Sequence, residues 1–319
     1  MILELPAWFL ATVAVSLGLA LGSFLNVVVH RLPRGENVAY PASRCPACGS
    51  PIRAYDNVPV FSWLVLRGRA RCCRAKISPR YPLVEALGGL TGWAVLEKVL
   101  GDATTGTPDH VLILSFSAYL ILCLGLIALV FIDLEFMILP DEITLGGAAL
   151  GLATVPIRDI TWTEALVGAA SGFFLVWLPF HVGYRLLRGH AGMGLGDAKL
   201  LLLAGAWLGW KGAVFALLAG AVQGTVVAVV VLVARGGIDE PPAVKAEREA
   251  LRAELETLEG EERRAFQQEL DADPLAQEPS GGFGKIRLPF GPFLALGIVE
   301  YLFFGDLLVE RYLEMTWPA

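Results

Sequence analysis

A chain of 319 residues in which 55% are hydrophobic and only 18% charged, with a mean hydropathy of +0.60, carries more apolar surface than a soluble domain buries, which excludes an ordinary water-soluble enzyme. The net charge of −6 is modest for this length. No basic groove with interleaved aromatics appears, so no nucleic-acid partner is expected.

The predicted class is an all-α polytopic membrane protein with about eight transmembrane helices. A crossing needs about 20 apolar residues, and runs near or above that length fall at 8–29, 83–100, 111–132, 138–155, 165–187, 195–210, 213–234 and 288–309. The first run lacks a basic stretch before it and is too long for the apolar core of a signal peptide, so residues 1–30 are read as a retained helix.

Residues 31–82 follow as a separate polar domain. They hold nine arginines and Lys76 against Glu36 and Asp56, whereas residues 101–110 contain neither Lys nor Arg. The positive-inside bias places this loop in the cytoplasm, and alternating crossings then put the ends carrying Asp133 and Asp197 on the same side. Within the loop, Cys45-Pro46-Ala47-Cys48-Gly49 reads as one thiolate knuckle of a zinc-ribbon-like site, with Cys72-Cys73 supplying ligands some two dozen residues later. In a cytoplasmic loop, metal ligation is favoured over disulfides. Cys45, Cys48 and Cys73 are the leading ligands and Cys72 the fourth, although adjacent cysteines replace the second Cys-x-x-Cys. Without a metal, the loop would be held by packing of Phe61 and Trp63. Cys123, inside an apolar run, reads as a small buried hydrophobe.

The membrane body, residues 83–234, contains the most informative pair. Asp133 closes the third apolar run, and Asp197 sits in Gly192-Met193-Gly194-Leu195-Gly196-Asp197-Ala198-Lys199, opening the sixth. A carboxylate at a membrane boundary is costly unless it faces protein or water. Two on one side point to a shared acid–base site in which one carboxylate activates water and the other polarises a carbonyl. Gly194 and Gly196 remove bulk before Asp197 and permit an extended backbone or close substrate approach. Asp141, after Pro140, is a rival first acid, but its position fits the cap of the next helix. Caps or a salt bridge with Lys199 or Arg188 are the bland alternative for the aspartates.

Residues 235–285 form an acidic cytoplasmic insert. Positions 236–284 hold 13 acids and 5 bases, a net of −8 that outweighs the charge of the whole chain. Residues 243–270, with Leu251, Leu255 and Leu258 at helical spacing, predict an amphipathic helix. The last span and tail occupy residues 286–319.

The residues as a set resemble type IV prepilin peptidases. Gly22-Ser23-Phe24-Leu25-Asn26-Val27-Val28, Arg31-Leu32-Pro33, Cys45-x-x-Cys48, Asn57 to Leu64 and Ile77 to Glu85 look like that family's N-terminal half; Phe131 to Glu135, Leu139-Pro140-Asp141, Gly194 to Lys199 and Leu288 to Ala295 look like its catalytic half. The resemblance implies a bifunctional enzyme of the bacterial inner membrane. Such an enzyme removes the short basic leader of prepilins and pseudopilins, then N-methylates the new terminus with S-adenosylmethionine. It implies that Asp133 and Asp197 are catalytic, that Gly194, Gly196, Lys199 and Asp141 line the active-site loop, and that Asn26 and Glu85 belong to the methyltransferase motifs. Relatives carry two Cys-x-x-Cys pairs, and alignment on Ile77-Ser78 puts Ala70 where the third cysteine would be. The rival readings are a peptidase without methyl transfer, a proton-coupled transporter and a non-enzymatic anchoring protein. The substrates would be membrane-embedded prepilins and pseudopilins, with bilayer lipid as a further partner.

Overall fold

The computed structural model describes residues 2–104, 106–188, 194–235, 241–272 and 288–316. In chain order the helices are α1 (Ala7–Arg31), α2 (Phe61–Val65), α3 (Arg80–Asp102), α4 (Asp109–Phe136), α5 (Asp141–Ala153), α6 (Trp162–Val176), α7 (Tyr184–Arg188), α8 (Leu195–Arg235), α9 (Pro242–Thr257), α10 (Gly260–Ala272) and α11 (Gly291–Thr316). There is no β-strand among the described residues, only two isolated bridges in the cysteine loop.

All eight predicted apolar runs fall on helices. Four helical stretches are both long and apolar enough to cross a bilayer: Ala7–Arg34, Asp109–Phe136, Trp162–Leu187 and Leu195–Ala234. The others fall short for visible reasons. α3 carries Glu85, Glu97, Lys98 and Asp102, α5 has only 13 residues, and the apolar part of α11 is confined to Gly291–Gly305. The sixth and seventh runs join in α8, whose one non-helical residue is Gly209, at φ 69° and ψ −177°. That φ is open to glycine at little cost. The acidic insert departs from the single helix expected: it breaks between α9 and α10, where Leu258 is extended and Gly260 takes φ 62°. Its stretches 236–240 and 273–285 lie outside the described residues.

The chain divides into two compact units, Met1–Leu129 with Gly146–Ala165, and Val130–Leu145 with Leu166–Ala319. In the first, α1 and α3 are joined along glycines. A Cβ on Gly18 would sit 2.2 Å from the Gly88 carbonyl oxygen, and one on Gly92 would sit 2.2 Å from that of Ala14. Small residues four apart let two helix backbones approach where lipid supplies no hydrophobic drive between them. Side chains such as Trp8, Val13 and Leu17 are left exposed on α1, as suits a face turned to lipid.

The second unit uses the same device around α8. A Cβ on Gly205 would fall 2.0 Å from the Gly168 carbonyl oxygen of α6, and one on Gly220 would fall 3.2 Å from Leu294 of α11. Leu200, Leu201, Leu203, Leu294 and Ile298 fill the core between these helices. Gly205→Val is therefore expected to destabilise the fold by about 3 kcal/mol or more, since the backbone contact leaves no room to relax. Thermal unfolding in detergent would show this as a lowered midpoint.

Candidate active site

Asp133 lies in the last turn of α4. The helix ends at Met137, which takes φ 55° while its N–H donates to the Asp133 carbonyl at 2.9 Å. The Asp133 side chain is only 5% exposed. Its Oδ2 accepts a 3.0 Å hydrogen bond from the N–H of Gly291, 158 residues later. Gly291 opens α11 and is followed by Pro292, so its N–H is among the donors that a helix start leaves unpaired, at the positive end of the helix dipole. A Cβ there would be 2.6 Å from Asp133 Oδ2 and 2.9 Å from Leu139 Cδ2.

Asp197 occupies the first turn of α8 and is half-buried. Gly196 is helical rather than extended, and its missing side chain makes room for Leu139, whose Cβ would be 3.0 Å from a Cβ on Gly196. Leu139 thus meets both glycines, the one that holds Asp133 and the one preceding Asp197. The two acids belong to the same compact unit, Asp133 through its Gly291 donor and Asp197 through its neighbour Gly196 both bordering Leu139. Gly194 is described and exposed, whereas Gly192 and Met193 lie outside the described residues.

Lys199 does not pair with Asp197. Its Nζ lies 2.6 Å and 2.8 Å from the two oxygens of Asp141, in the first turn of α5. This bond ties the starts of α5 and α8 together and takes the expected cation away from the Asp133–Asp197 pair. The sequence did not mark the Gly291 donor or the Asp141–Lys199 pairing. The signal for the first was the Gly-Pro pair at the start of the last span, where proline leaves glycine as the available donor.

In the first unit, Asn26 is buried at the Gly22 crossing. Its Nδ2 donates to the carbonyl of Tyr81 at 3.2 Å, and its Oδ1 is buried without a hydrogen-bond partner. Glu85 lies one helical turn beyond Tyr81 on α3, and its Oε2 accepts a 2.6 Å bond from the N–H of Val60. Val60 is β-branched and has φ 62°, a conformation that needs such support.

The cysteine loop forms two matching knuckles. In the first, Cys45 N–H donates to Ser50 O and Gly49 N–H to Cys45 O; in the second, Ala70 N–H donates to Ala75 O and Arg74 N–H to Ala70 O. Gly49 and Arg74 both take the left-handed conformation, at φ 70° and 61°. Ala70 therefore stands where Cys45 stands, and Cys73 where Cys48 stands. Cys72 turns in from the third position to complete the set. All four Sγ atoms lie within 4.8 Å of one another, with 3.7 Å from Cys45 to Cys73, 3.4 Å from Cys48 to Cys72 and 3.9 Å from Cys72 to Cys73. A tetrahedral zinc tetrathiolate has sulfur–sulfur edges of about 3.8 Å, so the four residues fit that ion despite the displaced cysteine. Hydrogen bonding from Ser50 draws the Cys48 thiol down to about 6, and contact with Cys48 pushes Cys72 up to about 12.

Comparison with known proteins reads the same way. Residues 16–99 match the bacterial peptidase A24 N-terminal domain and residues 120–229 match the type IV leader peptidase family. A prepilin leader peptidase/N-methyltransferase of Myxococcus xanthus (strain DK1622) is 34% identical over 331 residues, spanning 96% of this chain and 94% of the relative. The chain belongs to the type IV leader peptidase family. Enzymes with the same name from Klebsiella pneumoniae and Burkholderia pseudomallei (strain 1026b) are 42% and 34% identical, over 61% and 94% of this chain and 83% and 87% of theirs. No solved structure matches the chain.

Proposed function

We infer that this protein is a prepilin leader peptidase and N-methyltransferase. It cleaves the basic leader of type IV prepilins or pseudopilins at the cytoplasmic face of the bacterial inner membrane, with Asp133 and Asp197 as the catalytic acids. The observation that supports the reading is that both acids lie in one unit beside Leu139, with Asp133 held by the Gly291 N–H. One carboxylate takes a proton from water, whose oxygen attacks the scissile carbonyl carbon, and the other gives a proton to the carbonyl oxygen. The C–N bond then breaks and the proton passes to the leaving amine. A prepilin is itself a membrane helix, so its backbone at the cleavage point has to unwind where water reaches it. The exposed Gly194 beside Asp197 leaves room for that extended segment.

Methyl transfer acts on the amine this cleavage releases, with S-adenosylmethionine as donor. No feature of the described residues marks a pocket fitting that donor; two residues at the α1–α3 crossing are placed to receive the amine. The buried Oδ1 of Asn26 is suited to accept an amine N–H, and Glu85, held by Val60, supplies a negative charge one turn along α3. Asn26→Leu is expected to leave leader removal within about twofold of normal while lowering methylation by about tenfold, the scale of losing one buried hydrogen bond to the neutral amine. The released pilin would be weighed to read both.

Zinc in the tetracysteine site would hold the two knuckles together and take no part in the hydrolysis. Purified protein is expected to contain one zinc per chain, and Cys45→Ser or Cys73→Ser to lose it, measured by elemental mass spectrometry.

The deciding experiment incubates membranes with a prepilin bearing a C-terminal tag, with and without S-adenosylmethionine, and weighs the product. Loss of the leader in both arms, with one added methyl group only when the donor is present, is expected. An intact prepilin would reject the peptidase, and a leaderless product without the methyl group would reject the transferase.

A further inference from the structure

Between α1 and α3, the cysteine loop presents an apolar face that none of the described residues covers. In α2, Trp63 turns inward, with its Nε1 donating to the carbonyl of Ile77 and its ring against Gly68. Its neighbours turn outward: Phe61 is 67%, Leu64 58% and Val65 63% exposed. A contiguous apolar patch of this kind marks a surface built to meet something. Beside it, Val65 and Leu66 line a cleft with Arg67, Arg69, Arg71 and Arg74. Arg67 and Arg74 hold left-handed backbone conformations, φ 52° and 61°, that direct this stretch. Asp56 partly neutralises Arg71 at 2.9 Å; exposed Arg67, Arg69 and Arg74 leave the cleft lining with an excess of positive charge that favours an anion.

The height of this surface is fixed by the Val60–Glu85 hydrogen bond. Glu85 is in the second turn of α3, which packs along the membrane-spanning α1, so the residue preceding α2 is pinned near the end of that helix pair rather than far out in solvent. An apolar patch bordered by arginines at that level has the make-up of an interfacial segment, with aliphatic and aromatic groups among acyl chains and basic groups at the phosphates. A prepilin leader, being basic, would be repelled by the same arginines.

We propose that α2 and the adjoining arginine cleft form a binding site for an anionic phospholipid, which seats the cysteine domain on the membrane surface.

The test places the photo-crosslinking residue benzoylphenylalanine at Phe61, and in a second version at Leu64, of the full chain. The protein is reconstituted in nanodiscs of equal phosphatidylglycerol and phosphatidylcholine, and the adducts are weighed after illumination. Lipid adducts are expected, with phosphatidylglycerol exceeding phosphatidylcholine by about tenfold; Arg67→Gln with Arg69→Gln should bring the two near equality while zinc content and circular dichroism stay unchanged. No lipid adduct from either position, or adducts only to peptides of residues 242–272 or to added prepilin, would overturn the membrane-facing surface. Equal proportions of the two lipids before and after the arginine change would overturn the headgroup site.

Discussion

Asp197→Asn, and separately Asp133→Asn, is expected to lower the initial rate of leader removal by about a thousandfold or more, the scale of losing a positioned acid or base. Both variants should accumulate in the membrane at normal levels, read by immunoblot alongside the rate. The substitution separates chemistry from structure. An asparagine side chain accepts a helix-start N–H about as well as an aspartate does, so if Asp133 served only to cap α11 through Gly291, the exchange would leave cleavage unchanged. For Asp197, in the first turn of α8, loss of a favourable charge–dipole interaction would cost only about 0.5 kcal/mol. Retained cleavage in either variant would reduce these acids to structural residues.

Gly291→Ala should cost about a hundredfold in cleavage, because a displacement of roughly an ångström in a reacting group has effects of that size. The added methyl group would stand 2.6 Å from Asp133 Oδ2 and 2.9 Å from Leu139 Cδ2, closer than real contacts allow, so the carboxylate has to move off the backbone donor. Neither charge nor any proposed catalytic side chain is altered. Gly146→Ala, where a Cβ would meet nothing within 4 Å, should cleave at the normal rate. Rates from membranes containing equal amounts of each variant provide the comparison; an unaffected Gly291→Ala would mean that the Gly291 bond does not position Asp133.

These expectations show how far hydropathy and motif spacing carry. Apolar length located every long apolar helix because the signal is local, and even the division of the sixth and seventh runs at 210–213 fell within a few residues of the Gly209 break. The two acids were legible because a charge at the edge of an apolar run is conspicuous. Their supports were not. The donor to Asp133 is a backbone N–H 158 residues distant, and backbone groups carry no identity in a sequence. Lys199 lies two positions from Asp197 and reads as its natural partner, but one side chain's direction at the start of α8 assigns it to Asp141 instead. In the cysteine loop, counting positions made Ala70 look like a missing ligand; only the repeated knuckle hydrogen bonds reveal that Cys72 enters the same space from another position.

The most direct measurement joins the two acid positions covalently. Asp133→Cys with Asp197→Cys, treated in native membranes with a short bifunctional thiol reagent and digested, is expected to yield a linked peptide pair containing positions 133 and 197, identified by mass. Each single variant should give none. If both introduced thiols react with a monofunctional reagent yet are never joined to each other, the acids do not share a site, and the proposed hydrolytic mechanism is wrong.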